Sequence, residues 1–312
     1  MGLQSRDVRQ GGIEMTATSK KERAIRTVEM IVPPPPAHWV GDGFKVHGYF
    51  PHGPLPATRV SPFFLLDYNA NTDFPPREEP YGVGPHPHRG FETVTIAYKG
   101  KVEHHDSRGG GGIIEEGDVQ WMTAGSGLLH KEFHEAEYNR KGGPFHVVQL
   151  WVNLPAKDKM TPPKYQAIAN AEMGRAKLAY GGEVEIIAGE FDGVKGPATT
   201  FTPVHLYNVR PAKGSSMTLD FPTGFTTLIL AVEGSGLING TDELKTDHLA
   251  VLSREGEVLT LEATEENSTF LVMAGEPIDE PIAQYGPFLM NTKAEIAQAI
   301  DDFNSGKFGY LE

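Results

Sequence analysis

Two short segments carry residue types and spacings that could do chemistry: Pro85-His86-Pro87-His88 and Leu129-His130-Lys131-Glu132. A strand sends alternate side chains to opposite faces, so His86 shares a face with His88, and His130 shares one with Glu132. Laid side by side, two such strands would present three imidazoles and one carboxylate to a single point. That donor set, nitrogen and oxygen without thiolate, suits a divalent transition metal. A lone histidine is commonly just packed or solvated. The distinguishing feature is the second same-face pair, which follows after a glycine-rich turn and a further strand pattern.

The elements that must position these residues read as strands. Residues 61–68 form a short apolar run, and residues 69–84, rich in Pro, Asn and Asp, read as a loop that delivers the chain to His86. Residues 91–96 are β-branched or aromatic, and Lys99-Gly100-Lys101 turns the chain into Val102-Glu103-His104-His105. The glycine run at 108–112 is followed by neither Lys-Ser/Thr nor a helix pattern, so it reads as a turn and not a phosphate loop. Residues 119–122 and 145–152 complete the strand set of a first lobe. His104 and His105 read as polar strand-end residues, and His134 as a rim residue.

A second lobe echoes the first. Gly90-Phe91-Glu92-Thr93-Val94-Thr95-Ile96-Ala97-Tyr98-Lys99-Gly100 aligns with Gly224-Phe225-Thr226-Thr227-Leu228-Ile229-Leu230-Ala231-Val232-Glu233-Gly234, the signature of a duplicated β-barrel unit. In that register His86 and His88 fall opposite Asp220 and Pro222, and aligning Asp118 with His248 puts His130 opposite Thr260 and Glu132 opposite Glu262. Histidines that the fold itself needed would recur in both copies, so those of the first copy point to chemistry. The expected organisation is a flexible leader over 1–30, an N-terminal barrel with the metal site over 31–155, a crossing connection over 156–182, a C-terminal barrel lacking metal ligands over 183–275, and a tail over 276–312. In the tail Thr292 and Glu295 make a capping box for one amphipathic helix over about 292–305, with Ile296, Ala299, Ile300 and Phe303 on one face.

Composition narrows the function classes. The chain has 312 residues, no cysteine and a formal charge of −13. Absence of cysteine removes disulfides, thiolate metal sites and cysteine nucleophiles, and is compatible with the reducing cytoplasm, the expected location. The negative charge disfavours direct nucleic-acid binding. No stretch approaches the roughly 18 apolar residues of a membrane helix, so no membrane association is expected.

The motifs Pro85-His86-Pro87-His88-Arg89-Gly90-Phe91-Glu92-Thr93-Val94, Gly117-Asp118-Val119-Gln120-Trp121-Met122-Thr123-Ala124-Gly125, Gln149-Leu150-Trp151-Val152-Asn153-Leu154 and Tyr285-Gly286-Pro287-Phe288 resemble the pirin family, a branch of the cupins. The resemblance runs from about residue 30 to the end. It implies an all-β fold of two stacked cupin, jelly-roll-like barrels with a short C-terminal amphipathic helix. It also implies one divalent metal in the N-terminal barrel, typically iron, with manganese, nickel, copper or zinc compatible with the same donors. Family ligands carry over onto His86, His88, His130 and Glu132. Cupins in general instead take a carboxylate four residues after the second histidine, which here is Glu92, and Glu92 has the parity of His86 and His88.

Members that look like this have been assigned quercetin 2,3-dioxygenase activity, which implies a small aromatic chelating substrate and dioxygen, with Glu132 as the base that takes the flavonol 3-hydroxyl proton. Pirins also resemble redox-sensing regulators that bind a transcription factor or metabolic enzyme, which would make a protein the partner. A zinc hydrolase is disfavoured: His130 and His134 have helical spacing, but Lys131 stands where the zincin motif needs Glu, and Gly125 and Gly127 oppose a helix.

Overall fold

Runs of β-branched and aromatic residues punctuated by glycine and proline fold almost entirely as antiparallel strands. The computed structural model describes residues 23–51, 53 and 55–312. A seven-stranded sheet runs in the order Lys164–Ile168, Val119–Thr123, Phe91–Lys99, Gly143–Asn153, Phe63–Phe74, Phe44–Phe50, His38–Val40. A four-stranded sheet, Gly82–His88, Leu128–His134, Val102–Asp106, Gly111–Ile114, packs on its inner face. Phe44, Val46, Phe74, Phe145 and Val147 of the large sheet meet Val102 and Ile114 of the small one in a common interior.

The second unit repeats this order strand for strand. Its large sheet runs Val28–Val32, Leu249–Leu252, Thr226–Glu233, Thr269–Gly275, Val204–Pro211, Gly182–Ala188, Gly174–Lys177, and its small sheet runs Ser216–Asp220, Val258–Ala263, Gly236–Ile238, Asp242–Leu244. The two large sheets stack through their outer faces. Leu66, Tyr68, Val94, Val148 and Leu150 join Leu228, Leu230, Leu271 and Met273 in one continuous apolar layer, the expected pair of stacked barrels.

Both chain ends cross over. Residues 1–22 of the expected leader lie outside the described residues, but from Ile25 onward the leader reading is corrected. Val28–Val32 pairs with Leu249–Leu252 of the second barrel. Arg26 is fully buried there, donating to the carbonyls of Phe225 and Ser253 at 2.7 Å and Pro222 at 2.9 Å. A polar sequence is held because one guanidinium satisfies several carbonyls that the barrel leaves open. The expected connection over 156–182 is likewise partly strand, with Lys164–Ile168 pairing onto the first barrel and Gly174–Lys177 onto the second.

Two further readings are corrected. The supposed loop over 69–84 starts as strand, because Phe63–Phe74 is paired on both sides and the buried Asn69 side chain serves neighbouring backbone at a bulge, accepting from Lys45 N and donating to Phe145 O. The glycine run ends in the edge strand Gly111–Ile114. The C-terminal helix spans Lys293–Asn304 with the capping box in place. It returns to the first barrel, burying Ile296 and Ala299 beside Phe288 and Phe308. Its buried face also includes Asp302, which pairs with Arg89 at 2.9 Å, whereas Phe303 stays 38% exposed.

Lys159 fastens three of these parts together. Its buried ammonium donates to Gly90 O at 2.8 Å, Asn153 Oδ1 at 2.6 Å and Leu289 O at 2.9 Å, so it ties the connection to the turn after His88 and to the C-terminal hairpin. Lys159→Met would strand three buried acceptors. A destabilisation of about 3 kcal/mol is expected, a fall of roughly 4–6 °C in Tm for a chain of this size, read by thermal unfolding. An unchanged Tm would refute this role.

Candidate metal centre

The site is made by pairing two strands of the small sheet. Gly82–His88 and Leu128–His134 run antiparallel with His130 opposite His86, and a register shift follows before Glu132. The pleat turns the rings of His86, His88 and His130 to one side, with centroids 4.8 Å apart for His86 and His88, 4.1 Å for His86 and His130, and 4.5 Å for His88 and His130. One ring nitrogen of each lies within 4.8 Å of the others. His88 and His130 are buried, and His86 is half-buried at the rim.

Glu132 belongs to an overlapping group with His104 and His130, again within 4.8 Å. Its carboxylate accepts from Gln149 Nε2 at 2.9 Å and from Thr95 Oγ1 at 3.4 Å. His104 is therefore not a strand-end polar residue. It is fully buried, and its Nε2 lies 2.7 Å from His130 Nδ1. With His130 Nδ1–H donating to His104, His130 Nε2 keeps a free lone pair, the usual arrangement behind a ligating histidine.

Glu92 is elsewhere. Its carboxylate accepts from Thr123 Oγ1 at 2.7 Å, and neither cluster includes it. Parity holds only within one strand. The chain leaves the small sheet after His88, turns at Gly90 with φ +90° and starts Phe91–Lys99 in the large sheet, where Glu92 faces away from Thr95. His105 is exposed beside Glu103. His134, expected at the rim, is buried among Phe74, Tyr81 and Phe145 and bonded to Gly43 O at 2.8 Å, a packing role.

Comparison with known proteins bears on the same residues. A family model described as Pirin matches residues 43–152, and one described as Pirin C-terminal cupin domain matches residues 206–309. The chain belongs to the pirin family. A Pseudomonas aeruginosa protein named as a candidate quercetin 2,3-dioxygenase is 48% identical over 87% of this chain and 94% of its own. Pirin-1 of Arabidopsis thaliana is 38% identical over 80% of this chain and 84% of its own. The crystal structure of quercetin 2,3-dioxygenase from Acinetobacter baumannii is 51% identical, covers 93% of this chain and all of that one (100%), and superposes with a TM-score of 0.87.

The donors of this pirin fit a metal on physical grounds as well. His88 Nδ1 and His130 Nε2 are buried with no hydrogen-bond partner, a costly state unless something else takes their lone pairs. Burial, reinforced by the neighbouring rings, holds His88 and His130 well below the ordinary histidine range, and burial lowers His86 too. All three stand ready as neutral donors. Burial also pushes the Glu132 carboxyl up to about 7 despite the bonds from Gln149 and Thr95, so the site favours a cation to offset that cost. His86 and Glu132 open onto a cavity of ≈ 40 Å³ walled by Val40, Phe44, Val46, Val83 and Val147, with Asp67, Thr95 and Gln149 as its other polar lining. At about 10–15 Å³ per water it holds about three or four waters, or one edge of a flat ligand.

Sequence reasoning missed His104, Gln149, Thr95 and Asp67. The available signal was polar residues at inward parity in apolar strands, such as Gln149 within Val147-Val148-Gln149-Leu150-Trp151.

A pH dependence follows. His88, His104, His130, His134 and His146 are buried and lowered, with His104 at about 3 and His134 and His146 at about 4. Asp67, Glu92 and Glu132 are raised to about 7. Between about pH 4.5 and 6.5 unfolding lets five imidazoles take up protons and three carboxyls lose them, a net uptake near two. Stability of the metal-free protein is expected to fall as pH drops through that window, by roughly 3 kcal/mol per unit at most, as read by chemical unfolding at each pH. A flat or rising profile toward acid would contradict it.

Proposed function

We propose that this pirin is a metal-dependent dioxygenase that opens a flavonol-type substrate such as quercetin, consuming dioxygen and releasing carbon monoxide. The observation that carries the reading is the meeting of three buried or half-buried imidazoles, two of them with a buried ring nitrogen left unpartnered, at the head of a cavity that also exposes Glu132. The names of the Pseudomonas aeruginosa and Acinetobacter baumannii relatives support the substrate class.

In this reading His86, His88, His130 and Glu132 hold one divalent ion, with iron the first expectation. When bound, the ion supplies Lewis acidity toward an anionic chelating oxygen and redox access to dioxygen. The protein does the rest. Glu132, aimed by Gln149 and Thr95, takes the proton of the substrate 3-hydroxyl. His104 fixes the ring of His130. The apolar wall excludes water and packs the flat ring system at the cavity mouth, while the chelating edge enters. The same reading places the cysteine-free chain in the cytoplasm.

Metal analysis and aerobic quercetin assays test the proposal together. The iron-loaded protein is expected to consume quercetin far faster than an equal concentration of free iron. His88→Ala should lose most of its metal. Glu132→Gln should stay folded with kcat lowered about 10²- to 10⁴-fold. Substrate loss no faster than with free metal would overturn the enzyme reading in favour of a redox-sensing regulator that meets a protein partner.

A further inference from the structure

A row of polar side chains crosses the inner face of the first barrel's large sheet. Cross-strand neighbours run Gly48, Asp67, Gln149, Thr95, Gln120 over five adjacent strands. Three of them already touch the site: Gln149 and Thr95 bond Glu132, and Gln120 Nε2 lies 3.5 Å from His104 Nε2. The second barrel supplies a control within the same chain. Its equivalent row, on the strands at the same places in the sheet, is Ile186, Tyr207, Val272, Ile229, Ala250, all buried in its apolar core. The fold therefore does not need polar groups here.

Asp67 stands out within the row. Its carboxyl lines the cavity shared with His86 and Glu132, yet no hydrogen bond reaches it among the described residues. It sits one strand from Gln149, about 5 Å across the sheet, and so within the span of any small ligand that reaches Glu132. Gly48 keeps the position clear. A Cβ there would come 3.1 Å from Asp67 Oδ1 and 3.2 Å from His38 Cε1, so the missing side chain leaves the carboxyl its room with the His38 ring alongside. Burial lifts the Asp67 carboxyl to about 7, which makes both its accepting and its donating form available at neutral pH. Half-buried on the cavity lining and without a protein partner, the carboxyl is free to bond a polar group of a ligand that enters there.

We propose that Asp67 is the substrate-selecting residue of this pirin, hydrogen-bonding a ring hydroxyl of the ligand other than the one that chelates, so that the site prefers polyhydroxylated flavonols over those bearing the chelating hydroxyl alone. The proposal rests on the dioxygenase reading and is tested so that the two can fail separately. Asp67→Leu imitates the apolar row of the second barrel, and Asp67→Asn keeps the shape without the charge. Each is compared with the unaltered protein on quercetin and on 3-hydroxyflavone, which has no other hydroxyl. Metal content and Tm are followed in parallel, and dissociation constants are measured calorimetrically on the loaded protein without oxygen.

The expected result is a rise of about tenfold or more in KM and Kd for quercetin in Asp67→Leu, and a smaller rise in Asp67→Asn. For 3-hydroxyflavone both constants should change less than about threefold, and kcat and metal content should stay near those of the unaltered protein. Equal effects on the two flavonols, or no effect on either, would overturn the role of Asp67 while leaving the dioxygenase reading intact. If the unaltered protein neither binds nor consumes either flavonol, the dioxygenase reading fails and takes this assignment with it.

Discussion

The pairing of Gly82–His88 with Leu128–His134 is the constraint on which the rest depends. Side chains in a sheet alternate with a period of two, so a slip of one residue would turn every imidazole on one strand to the wrong face. The register is pinned from both ends. Beyond His88, Arg89 is bonded through its backbone to Pro287 and Leu289 and through its guanidinium to Ser126 O at 2.8 Å and to Asp302. Gly90 then turns so close to Leu289 O that a Cβ would lie 2.1 Å from it. On the other strand Leu129 N and Ser107 Oγ are joined at 2.9 Å. The ligand geometry thus belongs to the sheet and to the structures buttressing it, not to the histidines alone.

Duplication separates what the barrel needs from what its chemistry needs. Both copies have the same strand order, but where the first sets His130 against His86 the inward cross-strand pair of the second is Leu259 and Leu219, both in its apolar core, and Thr260, which the sequence alignment set opposite His130, lies on the other face. Polar inward residues are expensive inside a sandwich and persist where something compensates them. In the first copy that compensation is mutual hydrogen bonding around Glu132 together with the ligand that the free lone pairs invite.

Much of this was legible in the sequence because it follows from local periodicity. The strand pair bearing His86, His88, His130 and Glu132, the repeated unit at Gly90 and Gly224, and the capping box at Thr292 all rest on neighbours a few residues apart. What escaped depends on contacts between distant segments. His104 looked like a strand end because nothing in its own segment says that Leu128–His134 will cover it. Glu92 looked like a ligand because parity was carried through a turn that changes sheets. The strand Val28–Val32 was hidden in a polar leader, since its partner lies over 200 residues away at Leu249–Leu252.

The crossing of the two chain ends has a consequence for modularity. The strand that precedes the first barrel completes the second, while the helix that follows the second barrel braces the first. Neither half owns all its own walls. A chain severed in the connection would leave one piece with an open sheet edge and the other with an uncovered apolar flank, so the halves are not interchangeable cassettes.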